Sequence, residues 1–152
     1  MIYNADKIAH WFLVRNKSDY DSGITDELIS NLKLQKLLYY AQGCVLAIKG
    51  EPLFGDDIYA WEHGPVIPAI YHEYKSFGKS GIDFDEHYDI SVIDKETNEI
   101  LEQVYTEFGQ YSAWKLRNMT HEEMPWRSTE KNEIISNDVI KKYFMENYIV
   151  EQ

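Results

Sequence analysis

His121-Glu122-Glu123-Met124-Pro125 starts like a zinc-protease helix, in which two histidines one turn apart share a metal ion and the glutamate between them is the base. Position 125 is proline, so the second ligand is missing. His63 and His72 are separated by a proline turn, and His10 and His87 stand alone in the sequence. None of these spacings is that of a metal site, and no metal or cofactor is expected. Cys44 would need a neighbouring base and an exposed, electropositive setting to act as a nucleophile, and its place in a helical apolar pattern favours a small packed side chain instead. Glu62 and His63 beside Gly64-Pro65 form a candidate acid/base pair, but a buried Trp61 ring next to a solvated carboxylate gives the same pattern and is the favoured reading. No nucleophile elbow, phosphate-binding glycine loop or dinucleotide fingerprint is present. No catalytic reaction is expected.

Aromatic content is the stronger signal, with 12 Tyr and 4 Trp. These side chains combine large contact area with a polar tip and serve interfaces as well as cores. Trp61 precedes Gly64-Pro65, Trp114 follows Ser112 and Trp126 follows Pro125, so three tryptophans sit beside turn or cap residues. They either wedge a helical body together or line a groove for a partner. The formal net charge of −11 disfavours binding to a phosphate backbone. Such a surface favours encounter with a basic partner, although excess acid more commonly serves solubility.

These residues must be positioned by helices. Leu34, Leu37, Leu38, Ala41, Val45 and Ile48 recur at three and four, predicting a helix over Leu32–Lys49, capped by Asn31 and stopped by Gly50 and Pro52. Further helices are predicted from Ala5 to Asn16 with Asn4 as cap, from Val66 to Ser76, from Glu96 to Phe108, from Ser112 to Met119 and after Ser136. Asn16 to Ser30 reads as a connection with a short helical turn at Glu27 to Ile29. Thr120 and Glu123 have capping-box spacing, and Gly78 to Lys95 reads as an acidic, mobile loop. Residues 58–62 alternate as a short strand, and 90–93 can add a second extended piece. The expected fold is mainly α, a compact single-domain helical bundle over residues 1–152 with that minor extended structure. At 152 residues such a domain buries about 70% of its unfolded surface. A lone cysteine and apolar runs broken by Lys7, His10 and Arg15 make a cytoplasmic location, with no membrane span, the expectation.

The ordered blocks Asn31-Leu-Lys-Leu-Gln-Lys-Leu-Leu-Tyr-Tyr-Ala-Gln-Gly43, Pro52-Leu53-Phe54, Ala60-Trp61-Glu62-His63-Gly64-Pro65-Val66, Tyr111-Ser112-Ala113-Trp114-Lys115-Leu116, Thr120-His121 and Pro125-Trp126 resemble the Panacea domain, also called the SocA-like antitoxin or GepA (phage-associated protein) family. The resemblance extends over about Ala5 to Phe144, with Cys44 where the family usually has an aromatic. It implies a mostly helical antitoxin of bacterial or prophage toxin–antitoxin modules, which neutralises a toxin encoded by a neighbouring gene through direct contact, and it does not imply a catalytic reaction. The expected toxin-binding surface comprises Tyr40, Trp61, His63, Trp114, His121 and Trp126, with the 78–95 loop adding charge selectivity. Two other classes compete: a regulatory adaptor for a phage or host protein other than a toxin, and a hydrolase using Glu62, His63 and His121. Oligomeric state is open.

Overall fold

A computed structural model describes residues 2–84 and 87–149. The chain folds as helix α1 (Ala5–Asp21), α2 (Asn31–Lys49), strands β1 (Ile58–Trp61) and β2 (Gly64–Val66), α3 (Pro68–Glu73), α4 (Lys95–Phe108), α5 (Ala113–Glu122), α6 (Met124–Arg127), strand β3 (Ile134–Ile135) and α7 (Asn137–Asn147). It is a mainly helical bundle with a small three-stranded sheet, and one apolar cluster drawn from every layer forms its core.

Helix α2 is the axis. From Leu34 to Leu46 every residue is buried, so the single apolar stripe expected of it is instead a helix enclosed on all sides by α1, α4, α5, α7 and the sheet. Ile48, placed on that stripe by its spacing, is exposed. The cap is Ser30, whose Oγ accepts the Lys33 N–H at 3.2 Å, and Asn31 begins the helix. Gly50 closes it in the left-handed region at φ 80°, its N–H bonded to the Leu46 carbonyl.

The polar residues of α2 are turned inward and hold irregular backbone in place. Gln42 Oε1 accepts the N–H groups of Leu53 and Phe54 while its Nε2 donates to the Phe54 carbonyl. Gln35 Oε1 accepts the Ile67 N–H at 2.9 Å, and Asn31 Nδ2 donates to the Tyr71 carbonyl. Each bond satisfies a buried backbone group that helix or sheet pairing leaves over.

The sheet has the order β2-β1-β3, with both pairings antiparallel. Trp61 pairs with Gly64 across a turn made by Glu62 and His63, so Gly64-Pro65 forms an edge strand where a helix start was expected. Pro65 fits there because an edge position does not require its missing N–H. The following helix accordingly begins at Pro68 and ends at Glu73, with a 3-10 turn over Lys75–Phe77. Strand β3 pairs Ile135 with Ile58 and was not expected.

Other boundaries also differ. Helix α1 runs on to Asp21, because Arg15 pairs with Asp19 one turn later and Tyr105 donates to Asp19 Oδ2. Asn4 makes no side-chain cap; Asp56 Oδ1 accepts the Ala5 N–H from across the fold. Residues 27–29 are not helical: the Ile82 N–H donates to the Ile29 carbonyl, and Ser30 bridges Gly81. That pairing and the buried Ile82 and Ile93 anchor the 78–95 segment to the core at both ends. Residues 90–93 form a turn rather than a strand, opened by Asp89, whose Oδ1 accepts from the Ser91 N–H and hydroxyl. Part of the acidic loop, residues 85–86, lies outside the described residues.

At Gly43 the backbone of α2 packs directly against the Phe144 ring of α7. A Cβ there would come within 2.4 Å of the Phe144 ring. Gly43→Ala must therefore displace α7, and urea unfolding should show a loss of about 1–3 kcal/mol.

Candidate functional site

Five of the six residues expected at the surface converge on the turn between β1 and β2. Trp126 Nε1 donates to the Trp61 carbonyl at 2.8 Å, and the His121 ring stacks on Trp126 with centroids 4.0 Å apart. His63, at the tip of the turn, lies 6.0 Å from the Trp114 ring. The link between them is Arg117, which sequence reasoning missed. Its guanidinium lies 4.3 Å above the Trp114 ring, and its Nε donates to His63 Nδ1 at 3.0 Å. Trp114, Arg117 and His121 share one face of α5 by three-and-four spacing, which is the signal that would have found the arginine.

Tyr40, the sixth, is a correction. It is 0% exposed, its ring stacks on Phe108 at 4.0 Å, and its hydroxyl donates to Glu123. A ring enclosed in this way presents nothing to a partner. Tyrosine type alone cannot separate core from interface; the partner that settles it lies 83 residues further on, at Glu123.

Glu123 gathers three phenols. Tyr39 and Tyr40 from α2 each donate at 2.9 Å, and Tyr148 from beyond α7 makes a further short bond. The carboxyl is 3% exposed, and burial raises its pKa against the three bonds that favour the charged form. Because the Glu123 side chain turns inward, no capping box forms; Thr120 stays inside α5 and donates to the Arg117 carbonyl. Burial near that carboxyl also pushes the Cys44 thiol up to about 12. Cys44 in the folded protein should thus resist a thiol-directed disulfide reagent at pH 8 and react promptly in urea, which a timed absorbance assay checks.

Beside the tryptophans a cleft of about 860 Å³ opens, lined among others by Trp61, His63, Trp114, Tyr71, Lys75 and Lys79. At its floor lies Lys36, 1% exposed, whose Nζ donates to the Pro65 carbonyl at 2.8 Å. Burial, with Arg117 adding repulsion, lowers its pKa to about 7. His121 is held below its usual value by burial and by Arg117, against a backbone bond at Glu62, and among the described residues its buried Nε2 has no hydrogen-bond partner. Glu62 is exposed, and among the described residues neither His63 nor His121 is bonded to a carboxylate, so the groups considered for hydrolysis do not form a relay. Elsewhere, His10 is not alone as its sequence context suggested. Its Nε2 lies 3.3 Å from Asp6, and Glu73 brings a second carboxylate within reach of both.

The fold and this site define an all-but-helical domain whose accessible chemistry is aromatic and cationic, gathered around a β-turn. Residues 34–127 match the family described as Antitoxin SocA-like, Panacea domain, and the chain belongs to that family. The match is narrower than the span over which the resemblance was read, leaving α1 and α7 outside it. The chain is similar to the antitoxin SocA of Caulobacter vibrioides (strain NA1000 / CB15N), at 37% identity over 103 residues. The match covers 61% of this chain and 55% of the relative, so it spans about half the relative's length. No solved structure matches.

No helix among the described residues is long and apolar enough to cross a membrane.

Proposed function

We propose that this chain is the antitoxin of a two-gene module and that it neutralises a protein toxin encoded beside it by direct contact, without catalysing a reaction. Membership of the SocA-like antitoxin family carries this reading. The physical support is the character of the accessible surface around the β1–β2 turn. Trp114 is 56% exposed, supported beneath by α5 and paired with Arg117, the two residue types most enriched where binding energy concentrates. The contact surface in this reading is Trp61, His63, Trp114, His121 and Trp126, with Arg117 added and Tyr40 withdrawn. The surface rests on rigid elements, since the Trp126 indole N–H is tied to the Trp61 backbone carbonyl.

The test is inducible expression of the adjacent reading frame in cells with and without this gene. The neighbour alone should arrest growth, and co-expression of this chain should restore it. A neighbour that is harmless alone, or that stays toxic in this chain's presence, would end the reading.

A further inference from the structure

The cleft beside Trp61 and Trp114 has a charge opposite to that of the rest of the molecule. In a chain of net charge −11, its lining carries Lys36, Lys75 and Lys79 against one carboxylate, Glu62. Two helix N-termini also reach it, through Ser30, Asn31 and Leu32 of α2 and through Ala113 and Trp114 of α5, and both bring partial positive charge. The caps Ser30 and Ser112 satisfy only the Lys33 and Lys115 N–H groups by side chain.

The second, independent observation is Lys36. Taken out of water with no anion facing it, the Lys36 amine is drawn toward its neutral form, and a carboxylate seated beside it would favour the charged form again. Among the described residues no carboxylate pairs with Lys36, and its one hydrogen bond is to a neutral carbonyl, which leaves donor capacity unused. Its amine lies against the backbone of Gly64, where a Cβ would stand 3.1 Å from Nζ, and both residues line the cleft. Arg117, on the neighbouring helix, likewise forms no ion pair among the described residues. A buried amine without a counter-ion, two helix N-termini and two rim lysines all complement the same missing charge. Flanking tryptophan and tyrosine rings supply apolar walls, and the volume lies within the range of about 300–1,000 Å³ typical of ligand sites.

We propose that this cleft seats an acidic, extended segment of the protein partner, with one carboxylate held over Gly64 and Lys36 between the N-termini of α2 and α5 and further acid meeting Lys75 and Lys79. The inference rests on the antitoxin reading and names the chemistry of the toxin segment it captures. Charge decides for a polypeptide over a nucleic acid, because a phosphate backbone would run onto the surrounding acidic surface, whereas a short acidic segment can be confined to the cleft.

The experiment titrates the purified neighbour-encoded protein into the full chain by calorimetry. Lys75 and Lys79 are exposed, so Lys75→Glu/Lys79→Glu keeps the fold, and it should weaken binding at least about tenfold and flatten the salt dependence. Lys131→Glu/Lys142→Glu, an equal charge change at exposed positions outside the cleft, should bind within about twofold of wild type. Lys36→Met replaces the buried amine with an apolar side chain of similar length. It should stay folded by circular dichroism and bind at least about tenfold more weakly. Cleft variants that bind as tightly as wild type would overturn the acidic-segment inference and leave the antitoxin reading standing. Weakening by both double variants alike would show general electrostatics and overturn it too. A wild type that fails to bind the neighbour would overturn both, and nucleic acid retained by wild type and lost from the cleft variants would replace the polypeptide.

Discussion

Glu123→Ala should cost about 3–5 kcal/mol of stability, the penalty for removing one member of a buried, charge-assisted network. In a domain of this size that corresponds to a melting temperature lower by about 6–20 °C. The substitution leaves the Tyr39, Tyr40 and Tyr148 hydroxyls facing an apolar space with their acceptor gone. It also loosens three joints together, since Glu123 ends α5, precedes α6 and ties α2 to the segment after α7. Glu123→Gln keeps one carbonyl acceptor and should cost less than half as much. Denaturant titration separates the two, and a loss below about 1 kcal/mol for alanine would show that water, not the carboxylate, satisfies the phenols.

The pH dependence gives a second reading of the same group. Its folded pKa lies above the ordinary 4.5, so in the window between the two values the folded state holds a proton that the unfolded chain has released. This group's contribution to stability therefore grows as pH falls through that window. Asp94 runs the other way: bonded by the Tyr3 hydroxyl and capping α4 at the Thr97 N–H, it is held down to about 2. Its contribution is present above the usual carboxylate range and is lost as pH falls toward 2.

Trp114→Ala should have the largest effect on partner binding with almost none on folding. The ring is mostly solvent-exposed, so its removal should change stability by no more than about 0.5 kcal/mol. Truncating an aromatic anchor of this kind typically costs at least about 2 kcal/mol of binding, roughly 30-fold in Kd, and rescue of growth should fail accordingly. Trp61→Ala is expected to abolish rescue as well, but Trp61 is half-buried and packs edge-on to Tyr71, so part of its loss would be structural. Trp114 is thus the cleaner probe. A folded Trp114→Ala protein that binds and rescues like wild type would remove it from the contact surface.

Spacing made the helices legible. Leu34, Leu37, Leu38 and Ala41, or Ile100, Leu101, Val104 and Phe108, recur at helical spacing and are buried, although in α2 the stripe is only part of a helix buried all round. The polar residues of α2 were illegible for the converse reason. Asn31, Gln35, Lys36 and Gln42 look like solvated positions until the backbone segments they bind, from Leu53 to Tyr71, are folded against them. Strand β3 has two residues and no alternation to detect, and Gly64-Pro65 carries turn chemistry into an edge strand. At the site, the tryptophans beside turn residues were found by type and position. The lysines that give the cleft its charge come from α2 and from the residues after α3, and only the tertiary fold brings them together.

The most direct measurement is to mix the purified neighbour-encoded protein with this chain and follow both by size-exclusion chromatography with calorimetric titration. Direct neutralisation predicts one co-eluting complex with a Kd of about 1 μM or tighter, weakened in Trp114→Ala. Separate elution of two folded proteins, in a pair for which this gene nonetheless protects cells, would contradict it.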